Sequence, residues 1–241
     1  MTSTSTSGLA DMIRVVSKRR SVEQQLDFTN NYTLIDCTSH NADKVLAQGL
    51  SPFWLGRDCG VECYDGLKAW NMENAWQYAK VYKQHVDASG KPTQEYFKWR
   101  DIGWGKKSAD RYPMGRGAKP EWSWWKVDGR FKRLGYIEAR KHIYIPLYAK
   151  LVVKTEAYAR LLQMKNAGMN LVLADFDGYN NFKSRPKMSW CDVLHCERRK
   201  MGHGLVLAMM LEGLIKANGD KIVLDKSLVQ QNQPTLDIDT L

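Results

Sequence analysis

Three carboxylates hold the positions in this chain best suited to acid–base chemistry. Glu73 falls in the first turn of an apolar helical stretch, where the positive end of the helix favours its ionised form. Asp175 and Asp177 close the apolar run 170–176 (NLVLADF), which reads as a buried strand. A carboxylate at the end of such a strand commonly faces a ligand crevice. Residues of this type, so placed, suit proton transfer in hydrolysis. Plainer roles fit the same pattern: a carboxylate complementing a helix dipole, and an Asp-Gly turn.

A second constellation is electrostatic. Residues 91–150 carry 15 Lys/Arg against 6 Asp/Glu, so +9 of the net +10 of the whole chain lies in these sixty residues. Trp99, Trp104, Trp122, Trp124 and Trp125 are interleaved there with Arg100, Lys106, Lys107, Arg111, Arg116 and Lys119. Cations among flat rings suit a phosphate-bearing ligand whose bases can stack. A solvated basic face over buried tryptophans is the alternative.

These side chains need positioning elements. Residues 9–20 have some helical character, and 32–37 (YTLIDC) reads as a short buried strand. The segment 50–55 holds a proline and reads as a loop or edge. The clearest helix covers 71–85, where Met72, Ala75, Trp76, Ala79 and Tyr82 form one apolar stripe behind Asn71 as N-cap. Residues 88–130 are rich in Gly, Pro and Trp and read as long ordered loops. A helix over 135–153 is divided by Pro146. Another covers 156–166 and stops at Gly168, and a last one covers 202–217. Its opening Gly202-His203-Gly204 is a weak anion-binding pattern. Residues 1–8 are Ser/Thr-rich and read as disordered, and 226–241 as a loose tail. With no repeat and no clean linker, the expectation is one α+β domain over 9–225, mostly helical around a small sheet, with a basic Trp-rich insertion at about 88–130.

Composition excludes several classes. No run of eighteen apolar residues is present, which predicts no membrane span, and no secretory leader opens the sequence, so the cytoplasm is the default location. A pI of about 9.3 favours an acidic partner, nucleic acid or nucleotide, and DNA over RNA. Five cysteines argue against a disulfide framework. Cys59, Cys63, Cys191 and Cys196 are a candidate zinc set, though separate thiols fit as well, and neither metal nor cofactor is expected. No nucleophile elbow, phosphate-binding loop or dinucleotide fingerprint occurs.

Two resemblances organise these residues. The string LVLADFDGY looks like the first motif of phosphatases with a strand-end aspartate nucleophile, which would make Asp175 the nucleophile and Asp177 the general acid. Only 64 residues follow Asp177, and no acidic pair able to hold magnesium is evident among them. The order of motifs over about 50–180 resembles the NADAR-type N-glycosidase superfamily. It begins with Ser51-Pro52-Phe53 and a helix with Glu73, Gln77 and Lys80 in an E-x-x-x-Q-x-x-K context. Gly115-Arg116 with Trp122, then 136–141, Leu161-Leu162 and 171–177 follow in the family's order. The Trp-Gly that the family has after its strand-end acid is replaced by Gly178-Tyr179-Asn180-Asn181.

That resemblance implies cleavage of a C1′–N bond through an oxocarbenium-like sugar cation. Glu73 is then the essential carboxylate, and Asp177, with Asp175 as its competitor, the second. Trp70 or Trp122 would stack on the base, and Arg116 with Lys80 would hold phosphate; Tyr179 joins them as a substrate contact. The excess charge points to a polymer, with Arg100, Lys106, Lys107, Arg111, Lys119, Trp124 and Trp125 on nucleic acid and an aromatic wedge to extrude a base, possibly a modified one. A free nucleotide or ADP-ribose adduct is the second choice. A non-catalytic nucleic-acid-binding protein is the rival from another class.

Overall fold

The computed structural model describes residues 12–29, 31–219 and 221–229. The chain enters through strands β1 (Ile13–Ser17) and β2 (Thr33–Asp36), then helix α1 (Lys44–Leu50), capped by the Asp43 carboxylate. The hairpin β3 (Val61–Tyr64) and β4 (Leu67–Ala69) leads into α2 (Met72–Tyr78), whose N-cap Asn71 accepts from the backbone N–H of Asn74. Next come β5 (Lys80–Val81), α3 (Gln94–Gly105), β6 (Trp122–Val127) and β7 (Arg130–Leu134). Helix α4 (Tyr136–Ala139) passes through a π-helical turn (Arg140–Tyr144) into α5 (Ile145–Val152), and α6 (Glu156–Asn166) follows. The last elements are β8 (Leu171–Asp175), α7 (Trp190–His195), α8 (His203–Leu211), the hairpin β9 (Ile215–Asn218) and β10 (Lys221–Leu224), and α9 (Lys226–Val229).

Strand β8 is the centre of the fold. It lies between β1 and β2, parallel to both, and all five of its residues are buried. A strand covered on both faces must be apolar throughout, which is what LVLA supplies. Helix α8 is apolar on every side and buried along its whole length, packed against β1, β8 and α5. On the other face Val16, Val172 and Ala174 meet Leu26 in a smaller cluster. A separate antiparallel sheet has the order β5-β6-β7. Along β6, Ser123, Trp125 and Val127 are buried while Trp122, Trp124 and Lys126 face outward, the period-two pattern of a half-covered strand.

The α+β expectation stands, with helix exceeding strand, and several elements differ from the sequence reading. Residues 13–17 form a strand, because the β-branched pair Val15-Val16 pairs in register with Leu173 and Ala174. The helix expected over 71–85 ends at Tyr78, since Lys80 and Val81 pair with Ser123 and Trp122. The segment 88–130 contains α3 and β6 and keeps irregular backbone mainly between them. The final helix stops at Leu211, and Gly213, at φ 74°, turns the chain into β9. Within the expected tail, residues 226–229 form α9 with Leu228 buried; 230–241, like 1–8, lie outside the described residues. No helix among the described residues is long and apolar enough to cross a membrane.

Candidate active site at the carboxyl edge of the parallel sheet

Three parallel strands end on the same edge, and the residues just past those ends carry the chemistry. Beyond β1 come Lys18 and Arg19, beyond β2 come Thr38 and His40, and beyond β8 come Phe176 and Asp177. Ligand crevices form outside the carboxyl ends of parallel strands because the chain diverges there and leaves side chains from several strands facing one space. The Lys18 ammonium pairs with Asp36 and donates to Thr38 Oγ1 at 3.1 Å, which ties the β1 and β2 ends together.

Helix α2 brings Glu73 to this edge. Glu73 is 7% exposed, and burial pushes its carboxyl above the usual range, opposed by the Gln77 hydrogen bond and by the charges of Lys80, Arg111 and His203. Gln77 Nε2 donates to Glu73 Oε1 at 2.8 Å, and Lys80 Nζ donates to Gln77 Oε1 at 2.6 Å. Residues at i and i+4 share one helix face, which aligns Gln77 with Glu73, while Lys80 reaches Gln77 from β5 beyond the helix end. Burial brings the Lys80 ammonium down to about 8, with Glu73 acting the other way.

The two strand-end aspartates have separate situations. Asp175 is buried, and its Oδ2 accepts from the Gly204 N–H at 3.0 Å and faces His203 Nδ1 at 3.3 Å. His203 Nε2 meets the Cys37 carbonyl at 2.8 Å and carries its hydrogen there, because a carbonyl only accepts. A side chain at residue 202 would put its Cβ 2.0 Å from Asp175 Oδ2, so glycine is required for this approach. The anion that Gly202-His203-Gly204 receives is therefore the protein's own Asp175. Asp177 is accessible instead. Its Oδ2 accepts from Arg111 at 2.7 Å and its Oδ1 lies 3.9 Å from Arg19. Arg111 is also within the electrostatic field of Glu73, while its hydrogen bond goes to Asp177.

Two rings gather cations at this edge. Arg111, Arg116 and Lys200 lie 5.5, 5.8 and 5.9 Å from the centroid of Tyr112. Lys18, Arg19 and Arg111 lie 5.5, 5.8 and 6.0 Å from that of Phe176. Arg116 reaches this group through Tyr112, whose ring it shares with Arg111 and Lys200.

Other expected contacts lie elsewhere. Arg100 is 6% exposed and Trp125 5%: Arg100 donates to Tyr64 Oη at 2.7 Å and pairs with Asp101, while Trp125 packs on Tyr64 and Trp104, so core packing removes both from any polymer. Lys106 is tied to Tyr78 and Asp110. Trp70 is exposed in a shallow groove with Arg57, Lys68 and Trp104, with Lys107 over its ring. Trp122 and Trp124 stand on the outer face of β6, and Lys119 is exposed. Tyr179 packs under Arg199, with its hydroxyl buried and unbonded among the described residues.

Residues 17–188 match the model of a family of unknown function, DUF6939. The chain belongs to that family. No curated protein and no solved structure matches it. The DUF6939 match takes in Glu73, Lys80, Arg111, Asp175 and Asp177, and ends before Lys200, His203 and Gly204.

Sequence reasoning missed Arg19, Tyr112, Phe176 and Lys200, which reach the edge from separate segments and share no spacing. Gln77 was visible in the motif but had no role until its two hydrogen bonds were placed. Among the described residues no group of three or more His, Cys, Asp or Glu is placed to hold a metal ion, and the four cysteines considered for zinc are not gathered into one.

Proposed function

We propose that this chain is an N-glycosidase that hydrolyses the C1′–N bond of a base, in nucleic acid or in a nucleotide, with Glu73 activating the attacking water. The observation that carries the reading is the run of hydrogen bonds from Lys80 through Gln77 to buried Glu73, with the Arg111–Asp177 pair at the same edge. The order of motifs similar to NADAR-type N-glycosidases supports it from the sequence side.

The reaction follows from the groups. Water oxygen bonds to C1′ as the C1′–N bond breaks, and its electron pair leaves with the base. The water proton passes to Glu73, whose raised carboxyl is a better base than an exposed one. The same carboxylate faces the cationic sugar as it develops. Lys80, brought to about 8, holds a proton at neutral pH that it can give to the departing base. Tyr112 and Phe176 offer flat faces, and Arg19, Arg116 and Lys200 offer charge for phosphate. The aspartyl-phosphatase alternative fits less well, since Asp175 is buried and spent on Gly204 and His203.

The test is mass spectrometry of small molecules released from DNA, with and without modified bases, and from a nucleotide panel, by wild type and Glu73→Gln. Free base from wild type alone supports the reading. No release from any substrate, with salt-sensitive DNA binding intact, replaces it with a non-catalytic nucleic-acid-binding role. Inorganic phosphate released in a magnesium-dependent way replaces it with the phosphatase.

A further inference from the structure

The β5-β6-β7 sheet packs only one face of its β6-β7 hairpin. Trp125, Val127 and Leu134 point into the core, and the opposite face carries Trp122, Trp124 and Lys126 from β6 with Phe131 and Arg133 from β7. The register sets Trp124 opposite Arg133 and Lys126 opposite Phe131. Trp124 and Phe131 lie parallel, with centroids 5.5 Å apart and planes at 4°, and Trp122 is 5.7 Å from Trp124. Arg133 stands over Trp122 at 5.4 Å. Phe131 is 42% exposed.

We propose that this sheet face binds single-stranded nucleic acid, with bases stacking on Trp124, Phe131 and Trp122 and with Arg133 on the backbone. Unstacked bases can stack on rings that line a sheet face, whereas the bases of a duplex are already stacked on one another and present only their edges. Charge is complementary. Lys126, on the ring face, is paired with Asp65, but exposed Arg133 forms no ion pair among the described residues, leaving positive charge beside the rings. The inference goes beyond the hydrolase reading and does not depend on it: it concerns binding alone.

The experiment is fluorescence anisotropy of the full chain with labelled single-stranded and duplex DNA of one sequence, at several salt concentrations. The expected result is tighter binding of the single strand, weakened about fivefold or more by Trp124→Ala. Arg133→Ser should flatten the salt slope by about 0.7, one phosphate contact on a single strand. Ultraviolet cross-linking of the unmutated protein followed by peptide mapping covers the case in which Trp124→Ala fails to fold; adducts on Trp122, Trp124 or Phe131 are expected. Tighter duplex binding, or adducts confined to 106–119, would overturn the proposal. Base release from a free nucleotide, measured alongside, should be unchanged in Arg133→Ser, which keeps failure here distinct from failure of the hydrolase reading.

Discussion

Gln77 sits one helical turn beyond Glu73 and bonds to it at 2.8 Å, while its amide oxygen accepts from Lys80 at 2.6 Å. One neutral side chain thus joins a buried carboxylate to a half-buried ammonium. Removing it leaves the carboxylate without its hydrogen-bond donor, and Gln77 is first among the groups holding that carboxyl down. Gln77→Leu should therefore raise the Glu73 carboxyl further and shift the acid limb of base release to higher pH, with substrate binding little changed. An acid limb that stays in place would detach Gln77 from the carboxylate's function.

Glu73 also has a signature in stability. Its folded carboxyl is raised above its unfolded value, so the folded state binds the proton more tightly. The sign follows: folding loses stability as pH rises through the interval between the unfolded and folded values, and the loss is complete above both. Glu73→Gln keeps the shape without the charge, so it should melt at a higher temperature than wild type at pH 8. The gap should close as pH falls below the ordinary carboxylate range. Equal melting curves at pH 8 would show that the neighbouring cations offset the burial of this group in full.

The alkaline side belongs to Lys80. Burial brings its ammonium to about 8, and the proposed chemistry needs it protonated, so base release should decline as pH rises through about 8. Lys80→Arg stays charged throughout that range and should remove this decline, whatever it does to the absolute rate. A decline near pH 8 that persists in Lys80→Arg would assign the limb to another group.

The parts legible in the sequence are those fixed by local pattern. The 156–166 helix, the buried strand before Asp175 and the Asn71 cap each follow from neighbouring residues alone. The four-residue spacing within the E-x-x-x-Q part of the motif puts Glu73 and Gln77 on one helix face for the same reason. What stayed hidden depends on pairing between distant segments. Lys80 leaves the helix because Ser123 is there to pair with it, and Arg100 is buried because Tyr64 and Asp101 take its guanidinium. The charge count of the basic block was sound as arithmetic, yet it could not show which cations were already spent. Arg111 is the clearest case: read as one polymer contact among several, it donates to Asp177 and lies in the field of Glu73.

Asp175 and Asp177 are two residues apart, and substitution should separate them by measurement as cleanly as burial does. Asp175→Ala leaves the buried Gly204 N–H without its acceptor and His203 without its partner, which should cost about 1–3 kcal/mol of stability. Asp177 faces Arg111 and Arg19 at the rim, where an exposed ion pair contributes roughly 0–1 kcal/mol. Asp177→Ala should therefore melt close to wild type while base release falls, because Arg111 loses the carboxylate that holds its guanidinium at this edge. Chemical denaturation with parallel turnover assays reads both. Should Asp175→Asn, which keeps an acceptor for Gly204, fold normally and still lose all turnover, Asp175 would take part in the chemistry itself. Normal turnover in Asp175→Asn would confine it to holding helix α8 against the end of β8.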